Sequence, residues 1–323
     1  MQKPGTDYEE DNLRMERFVP IRLLGKGAFG NVWLAFHNEI RIVAVKIIEK
    51  SKNEKHEWNA ALHLIKTCEL IITEVANCQT LNIIAKQPQI PLASYTLRAL
   101  MKQILQGMKE FHKTGLVHRD IKCENILMHS PPESGRVYVK IADFGLAKKE
   151  DLINEQSYLA GTLPYQAPEL FQKPIRSTFK VDIYALGITF YRIITHKFPI
   201  NSPTFDGQKK KIEMETKIER PSEIKDDILW DLLSQLLEFD PDKRITAEQA
   251  LQHPYFTSPE ANADISQEQI ELAQQAVDPE QDEDSNFTEF DKDPTFIVTE
   301  SEIRKDREIF SKRIRFRQYP IEN

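Results

Sequence analysis

Cysteine is scarce: Cys68, Cys78 and Cys123 are the three in 323 residues. An odd number with no metal-binding spacing excludes a disulfide framework and points to free thiols in a reducing compartment. Long hydrophobic runs are missing. No stretch approaches the ~20 apolar residues of a spanning helix, so no membrane span is expected. The opening MQKPGTDYEEDNLRMER also lacks the apolar segment of a secretory signal. Excess positive charge is missing as well. Lys and Arg number 43 against 50 Asp and Glu, a formal net charge of −7, which argues against nucleic acid as a partner through global charge. A cytoplasmic protein is expected, with the nucleus left open.

What is present is ordinary for a soluble globular chain: 40% apolar and 29% charged residues. The length allows one large domain or two modest ones. Residues 1–17 are polar and expected to be loosely ordered. FVPIRLLGKGAFGNVWLAF predicts strand, glycine turn, strand. RIVAVKIIEK predicts a third strand, and CELIITEV a further one after a helix in EKHEWNAALHLIK. Helices dominate afterwards. Leu97, Leu100, Met101, Ile104, Leu105, Met108 and Phe111 share one helical face, with Ser94 as N-cap and Gly115 as the stop. VDIYALGITFYRIIT is apolar nearly all round and predicts a buried central helix. DDILWDLLSQLLEF and TAEQALQHPYF extend the helical part to Phe256. From Thr257 to Pro294 there are twelve acidic residues and one basic residue, Lys292; residues 295–323 carry seven basic and five acidic. This predicts an acidic linker followed by a basic, weakly amphipathic end.

Several stretches bear chemistry. Gly25-Lys26-Gly27-Ala28-Phe29-Gly30-Asn31-Val32 follows the first strand. Glycines let a backbone turn tightly and bring N–H groups near phosphate oxygens. Taken alone, the pattern fits a plain hairpin, a dinucleotide loop or a lid over a nucleotide; VWLAF continues as strand rather than helix, which favours the lid. Lys46 ends VAVK, where it is either a surface lysine or a cation paired with phosphate, since an unpaired buried ammonium is costly. VHRDIKCENIL crowds His118, Arg119, Asp120, Lys122, Glu124 and Asn125 into one loop, and Asp143-Phe144-Gly145, Gly161-Thr162 and Ala167-Pro168-Glu169 follow.

This ordered set resembles the eukaryotic protein kinase family from about Phe18 to Phe256. The resemblance implies an α+β, bilobal fold: a small β-rich lobe over about 18–75, a helical lobe over about 76–256, ATP in the cleft between them, and a tail over 257–323. It implies an ATP- and Mg²⁺-dependent transferase that phosphorylates protein Ser and Thr in signalling. Asp120 would take the proton of the substrate hydroxyl, Lys122 would sit by the moving phosphoryl group, and Lys46 would bind the α- and β-phosphates. Asn125 and Asp143 would hold Mg²⁺ through hard oxygens. Gly25, Lys26, Gly27, Ala28, Phe29, Gly30 and Val32 would cover the nucleotide. Ala44 and Leu127 would flank adenine, with Glu74 and Ala76 offering backbone hydrogen bonds and Thr73 behind them.

His118 would pack rather than titrate, and Arg119 would face a phosphate on the activation loop. Lys122 and Thr162 match the serine/threonine type. Ser157 is the candidate activation-loop phosphosite, against an unmodified loop serine. Thr162 is a second regulatory candidate that fits service to the catalytic loop better. Glu124 either reads a basic substrate residue or is simply solvated. Asp182 should bond the catalytic-loop backbone and Arg244 should pair with Glu169. GTLPYQAPE and HPYF are similar to the calcium/calmodulin-dependent and autophagy-initiating kinase groups.

One departure stands out. Lys46 to Asp120 spans 74 positions, about twenty fewer than the motif set implies. The shortage lies between Lys46 and Glu74, where Glu57 or Glu54 would have to pair with Lys46. It keeps open a catalytically weak, nucleotide-binding scaffold. In the tail, IRKDREIFSKRIRFRQ offers either a regulatory contact or a disordered, solvated end. If it inhibits, truncation after Phe256 should raise activity.

Overall fold

A computed structural model describes residues 5–27, 30–49, 68–150, 161–173, 178–277 and 287–305. The expected helix around Glu57, the candidates Glu54 and Glu57 themselves, Ala28, Phe29 and Ser157 lie outside these residues, as does most of the basic end. The chain divides into two compact units, Met1–Val75 and Ala76–Asn323. One is built on an antiparallel sheet and the other is mainly helical, the α+β bilobal class.

The first unit opens with α1 (Gly5–Met15) and continues through β1 (Val19–Gly27), β2 (Gly30–His37), β3 (Arg41–Glu49) and β4 (Cys68–Thr73), paired in that order. β2 and β3 are rich in β-branched and aromatic residues, whose side chains point by turns to the two faces. Trp33, Ala35, Val43, Val45 and Ile47 therefore share one buried face, which Leu13 and Phe18 complete. Pro20 sits on β1, an edge strand, where its missing N–H is tolerated. The β1–β2 turn ends at Gly30, with φ +129°, where a Cβ would lie 1.9 Å from the Ile47 carbonyl oxygen; only glycine fits.

Within the start expected to be loose, Gly5–Met15 form a helix. Leu13 is fully buried, and Glu9 accepts hydrogen bonds from Asn31 Nδ2 at 2.7 Å and Trp33 Nε1 at 2.9 Å. One leucine and one carboxylate anchor α1 to the sheet, and neither stands out in a polar segment.

The second unit runs through α2 (Asn82–Ala85), α3 (Ser94–Lys113), β5 (Leu116–Val117), β6 (Ile126–His129), β7 (Arg136–Ile141) and β8 (Lys148–Lys149). It continues with α4 (Lys180–Thr195), α5 (Phe205–Met214), α6 (Asp227–Leu236), α7 (Ala247–Leu251) and α8 (Pro254–Thr257). The apolar face of α3 is buried as its spacing predicts. Ser94 opens that helix rather than capping it, since Ala93 takes the cap position. Every residue of α4 from Val181 to Tyr191 is buried. Cys78 and Cys123 are buried and form no disulfide, and burial pushes the Cys123 thiol up to about 12. Among the described residues no helix is long and apolar enough to cross a membrane.

The chain beyond Phe256 also departs from expectation. Where a linker was expected, α9 (Pro259–Ala263), α10 (Gln267–Gln275), β9 (Val298–Thr299) and α11 (Glu300–Arg304) form. β9 adds to β7, pairing Thr299 with Arg136 and Val298 with Val137. Ala261, Leu272, Ala273, Ile297, Val298 and Ile303 are buried. The acidic residues here meet cations of the helical unit: Asp264 with Arg98 at 2.6 Å and Asp293 with Lys102 at 3.5 Å. Asp291 accepts from the Tyr138 hydroxyl at 2.7 Å and lies 3.8 Å from Arg136. Gln103 donates to the Phe296 carbonyl and accepts from the Val139 N–H. A charge count over the segment alone cannot see these partners.

Candidate active site

The loop after β5 is held from beneath by one carboxylate. Asp182, in the first turn of α4 and 1% exposed, accepts from the backbone N–H of His118 and of Arg119, both at 2.8 Å. Its Oδ2 also lies 3.0 Å from His112 Nε2. Arg119 turns the chain at φ +67°, an uncommon conformation for a non-glycine residue that these bonds support. His118 is fully buried. Its Nδ1 accepts from the Asp120 N–H at 3.3 Å and its Nε2 faces the Ala142 carbonyl at 3.1 Å, and burial holds its pKa below the usual histidine range. The neutral ring is a spacer between two strands of the site, as its packing role predicts.

Asp120 is the hub. Its Oδ2 accepts from Lys122 Nζ at 2.7 Å and from Asn125 Nδ2 at 3.0 Å, and its Oδ1 accepts from the Thr162 hydroxyl at 3.1 Å. Lys122 Nζ also donates to Thr162 Oγ1 at 3.0 Å, which closes the ring. Thr162 reaches this position because Gly161 takes φ +106°; a Cβ there would come within 2.7 Å of the Arg119 carbonyl oxygen. Three residues spread from 122 to 162 thus meet around one carboxylate.

Asn125 donates its amide N–H to the Asp120 carbonyl at 2.8 Å as well, so its oxygen is the end that can meet a cation. The Asn125 carbonyl accepts from the Ala142 N–H at 2.8 Å, which brings Asp143 alongside through the β6–β7 hairpin. Asp143 itself is left-handed, at φ 65° and ψ 64°, and the following Phe144 stacks on Phe111 with ring centroids 5.5 Å apart. A carboxylate and an amide oxygen are hard donors of the kind Mg²⁺ takes, with waters and substrate phosphates completing its shell. Among the described residues no group of three His, Cys, Asp or Glu could by itself hold a metal.

Leu127 lies on β6 and is half-buried. Ala76 opens the second unit and is half-buried too, while Glu74 and Thr73 are exposed. In the first unit, Lys46 pairs with Val32 across β2–β3, next to the buried Ala44, and Gly25, Lys26 and Gly27 form the end of β1, with Gly27 opposite Gly30. Thr73 Oγ1 donates to the Ala44 carbonyl at 3.5 Å. Arg119, expected to meet a phosphate, donates from Nε to the Leu146 carbonyl at 2.6 Å. The architectural pair is present: Arg244 and Glu169 form a buried, two-pronged bridge at 2.7 and 2.9 Å.

Sequence reasoning missed Arg192. It donates to Glu124 Oε1 at 3.0 Å and to the Tyr165 hydroxyl at 2.5 Å. Its partner lies 68 residues away, and no local pattern reveals such a pair.

A family model described as "Protein kinase domain" matches residues 65–256, beginning after the glycine turn and Lys46. The chain is 32% identical over 295 residues to calcium/calmodulin-dependent protein kinase type 1 of Macrobrachium nipponense, covering 81% of this chain and 82% of that protein. It is 31% identical over 293 residues to cyclin-dependent kinase F-3 of Oryza sativa subsp. japonica, covering 75% and 65%. It is 30% identical over 265 residues to calcium-dependent protein kinase 6 of Plasmodium berghei (strain Anka), covering 73% of this chain and 17% of that longer protein. Near-equal identity to such different groups resolves no subfamily. By its matched domain, its sheet and helical units and the Asp120 ring, the chain belongs to the eukaryotic protein kinases of the serine/threonine type.

Proposed function

We propose that the chain transfers the γ-phosphoryl group of ATP to serine and threonine hydroxyls of proteins. The observation that carries this reading is the ring of Lys122, Asn125 and Thr162 around the Asp120 carboxylate. Phosphoryl transfer asks a protein mainly for alignment and charge compensation. A substrate hydroxyl reaching Asp120 would exchange with one of the present donors and be oriented by the carboxylate. Its oxygen forms the new bond to phosphorus, the bond from the γ-phosphorus to the β–γ bridging oxygen breaks, ADP leaves, and Asp120 takes the hydroxyl proton. Lys122 stays within reach of the transferred group. Mg²⁺, held by Asn125 and Asp143, offsets phosphate charge when bound.

The remaining roles belong to the same proposal. Lys46 would neutralise the α- and β-phosphates, and the backbone around Gly25, Gly27 and Gly30 would supply N–H donors. Ala44 and Leu127 would contact adenine, while the backbone of Glu74 and Ala76 would meet its polar edge. Thr162 would serve the catalytic loop, and Ser157 is proposed as the phosphosite. A weak nucleotide-binding scaffold has the short stretch between Lys46 and Glu74 in its favour.

Transfer of labelled phosphate from Mg-ATP to a generic protein substrate separates the two readings. Asp120→Asn should lower the rate by about 10²–10⁴-fold. Equal rates for wild type and variant would leave the scaffold.

A further inference from the structure

Glu124 is the one carboxylate of the loop that the proposed chemistry does not use. It follows Asp120 by four residues, and its neighbour Asn125 is bonded to Asp120. An extended peptide advances ~3.3 Å per residue. Substrate residues two to four places from the acceptor hydroxyl therefore pass within reach of this loop. A carboxylate there, 40% exposed, would be a natural reader of lysine or arginine.

In this chain the carboxylate is already taken. Arg192, on α4 and only 12% exposed, donates to Glu124 Oε1 at 3.0 Å. The same guanidinium donates to the Tyr165 hydroxyl at 2.5 Å and to Asn82 Oδ1 at 2.9 Å, and it lies 4.6 Å from the centre of the Phe198 ring. The Tyr165 hydroxyl closes the set by donating to Glu124 Oε2 at 3.4 Å. Three acceptors and an aromatic face fix the cation in place, so it is not a mobile surface arginine that a substrate could displace at little cost.

Resting on the kinase reading above, we propose that Arg192 is a specificity-determining residue: as a built-in cation it occupies Glu124, so that the surface beside Asp120 does not select lysine or arginine and favours substrates with uncharged flanking side chains. A basic substrate residue arriving here meets a neutralised carboxylate and a fixed like charge.

The test uses the full chain and serine peptides that carry Ala, or Arg at each flanking position in turn. Both kcat/KM and binding, by fluorescence anisotropy of labelled peptide, are measured. Wild type should show no preference for any Arg peptide. Arg192→Met, which keeps an apolar stem against Phe198, should gain about fivefold for the Arg peptide that reaches Glu124, the scale of a half-exposed ion pair. Adding Glu124→Gln should abolish that gain, and Glu124→Gln alone, which leaves the Arg192 cation uncompensated, should lower the Arg-to-Ala ratio below one.

A wild type that already favours Arg peptides, and loses that preference with Glu124→Gln, overturns the proposal. So does Arg192→Met with normal thermal unfolding and an unchanged ratio, or a chain to which none of the peptides binds. If Arg192→Met does not fold, the Glu124→Gln ratio still decides. Absence of Asp120-dependent phosphorylation, with the anisotropy ratios as expected, would sink the kinase reading and leave the pairing intact.

Discussion

The two flanks of the 18–256 region look alike in composition and behave differently in the fold. Both are polar, and both pack. The N-terminal helix is held through Leu13 and Glu9 on one sheet. The described residues between 258 and 305 reach α3 and β7 through Arg98, Lys102, Gln103, Arg136 and Tyr138. Arg136, 3% exposed, donates to the Leu272 carbonyl and lies over the Phe287 ring, 4.7 Å from its centre. Arg98 donates to both Tyr255 and Asp264. One flank rests on the core by a single contact face, whereas the other satisfies charges that the core itself buries.

The largest effect should come from cutting the second flank. Truncation after Phe256 takes Asp264 from Arg98 and the Leu272 carbonyl and Asp291 from Arg136, and uncovers the β7 edge. Losing the partner of a buried charge costs about 3–5 kcal/mol, a large share of a domain's stability. The truncated chain should be poorly soluble or melt far below the full chain, and its activity should fall rather than rise. A stable, more active product would restore an inhibitory role for the tail.

Leu13→Ala tests the first flank. A fully buried leucine should cost about 2–5 kcal/mol, read by urea unfolding. A change below 1 kcal/mol would show that α1 contributes little.

Tyr138→Phe removes one hydrogen bond to the buried Asp291 and should cost about 1.5–3 kcal/mol; no loss would place the strength of the second flank elsewhere.

The smallest effect is a control lying in neither flank. His118 is buried and neutral, while an unfolded histidine takes a proton near 6.5. The unfolded chain then binds more protons as pH falls, so stability should drop below about pH 6.5. His118→Asn should flatten that limb in denaturation curves at pH 5.5 and 7.5; an unchanged limb would assign it to other groups.

Much of this was legible because it is local. The β-branched run of β3, the face of α3 and the all-round apolarity of α4 are signals carried within a dozen or so residues. The Asp120 loop was legible as an ordered motif, and so were the Asp182 and Arg244 anchors. What failed was non-local. α1 depends on Asn31 and Trp33, the extension on cations more than a hundred residues earlier, and Glu124 on Arg192. In each case a polar residue looks solvated until its partner arrives from another part of the chain. The N-cap of α3 slipped by one residue because Ala93 already has the extended backbone that precedes a helix.

β9 is only two residues long, yet it lies along the outer side of β7. An uncovered strand is a template on which any passing chain can lay itself down. By filling that place with its own Val298 and Thr299, the molecule takes Arg136 and Val137 out of reach of such a visitor.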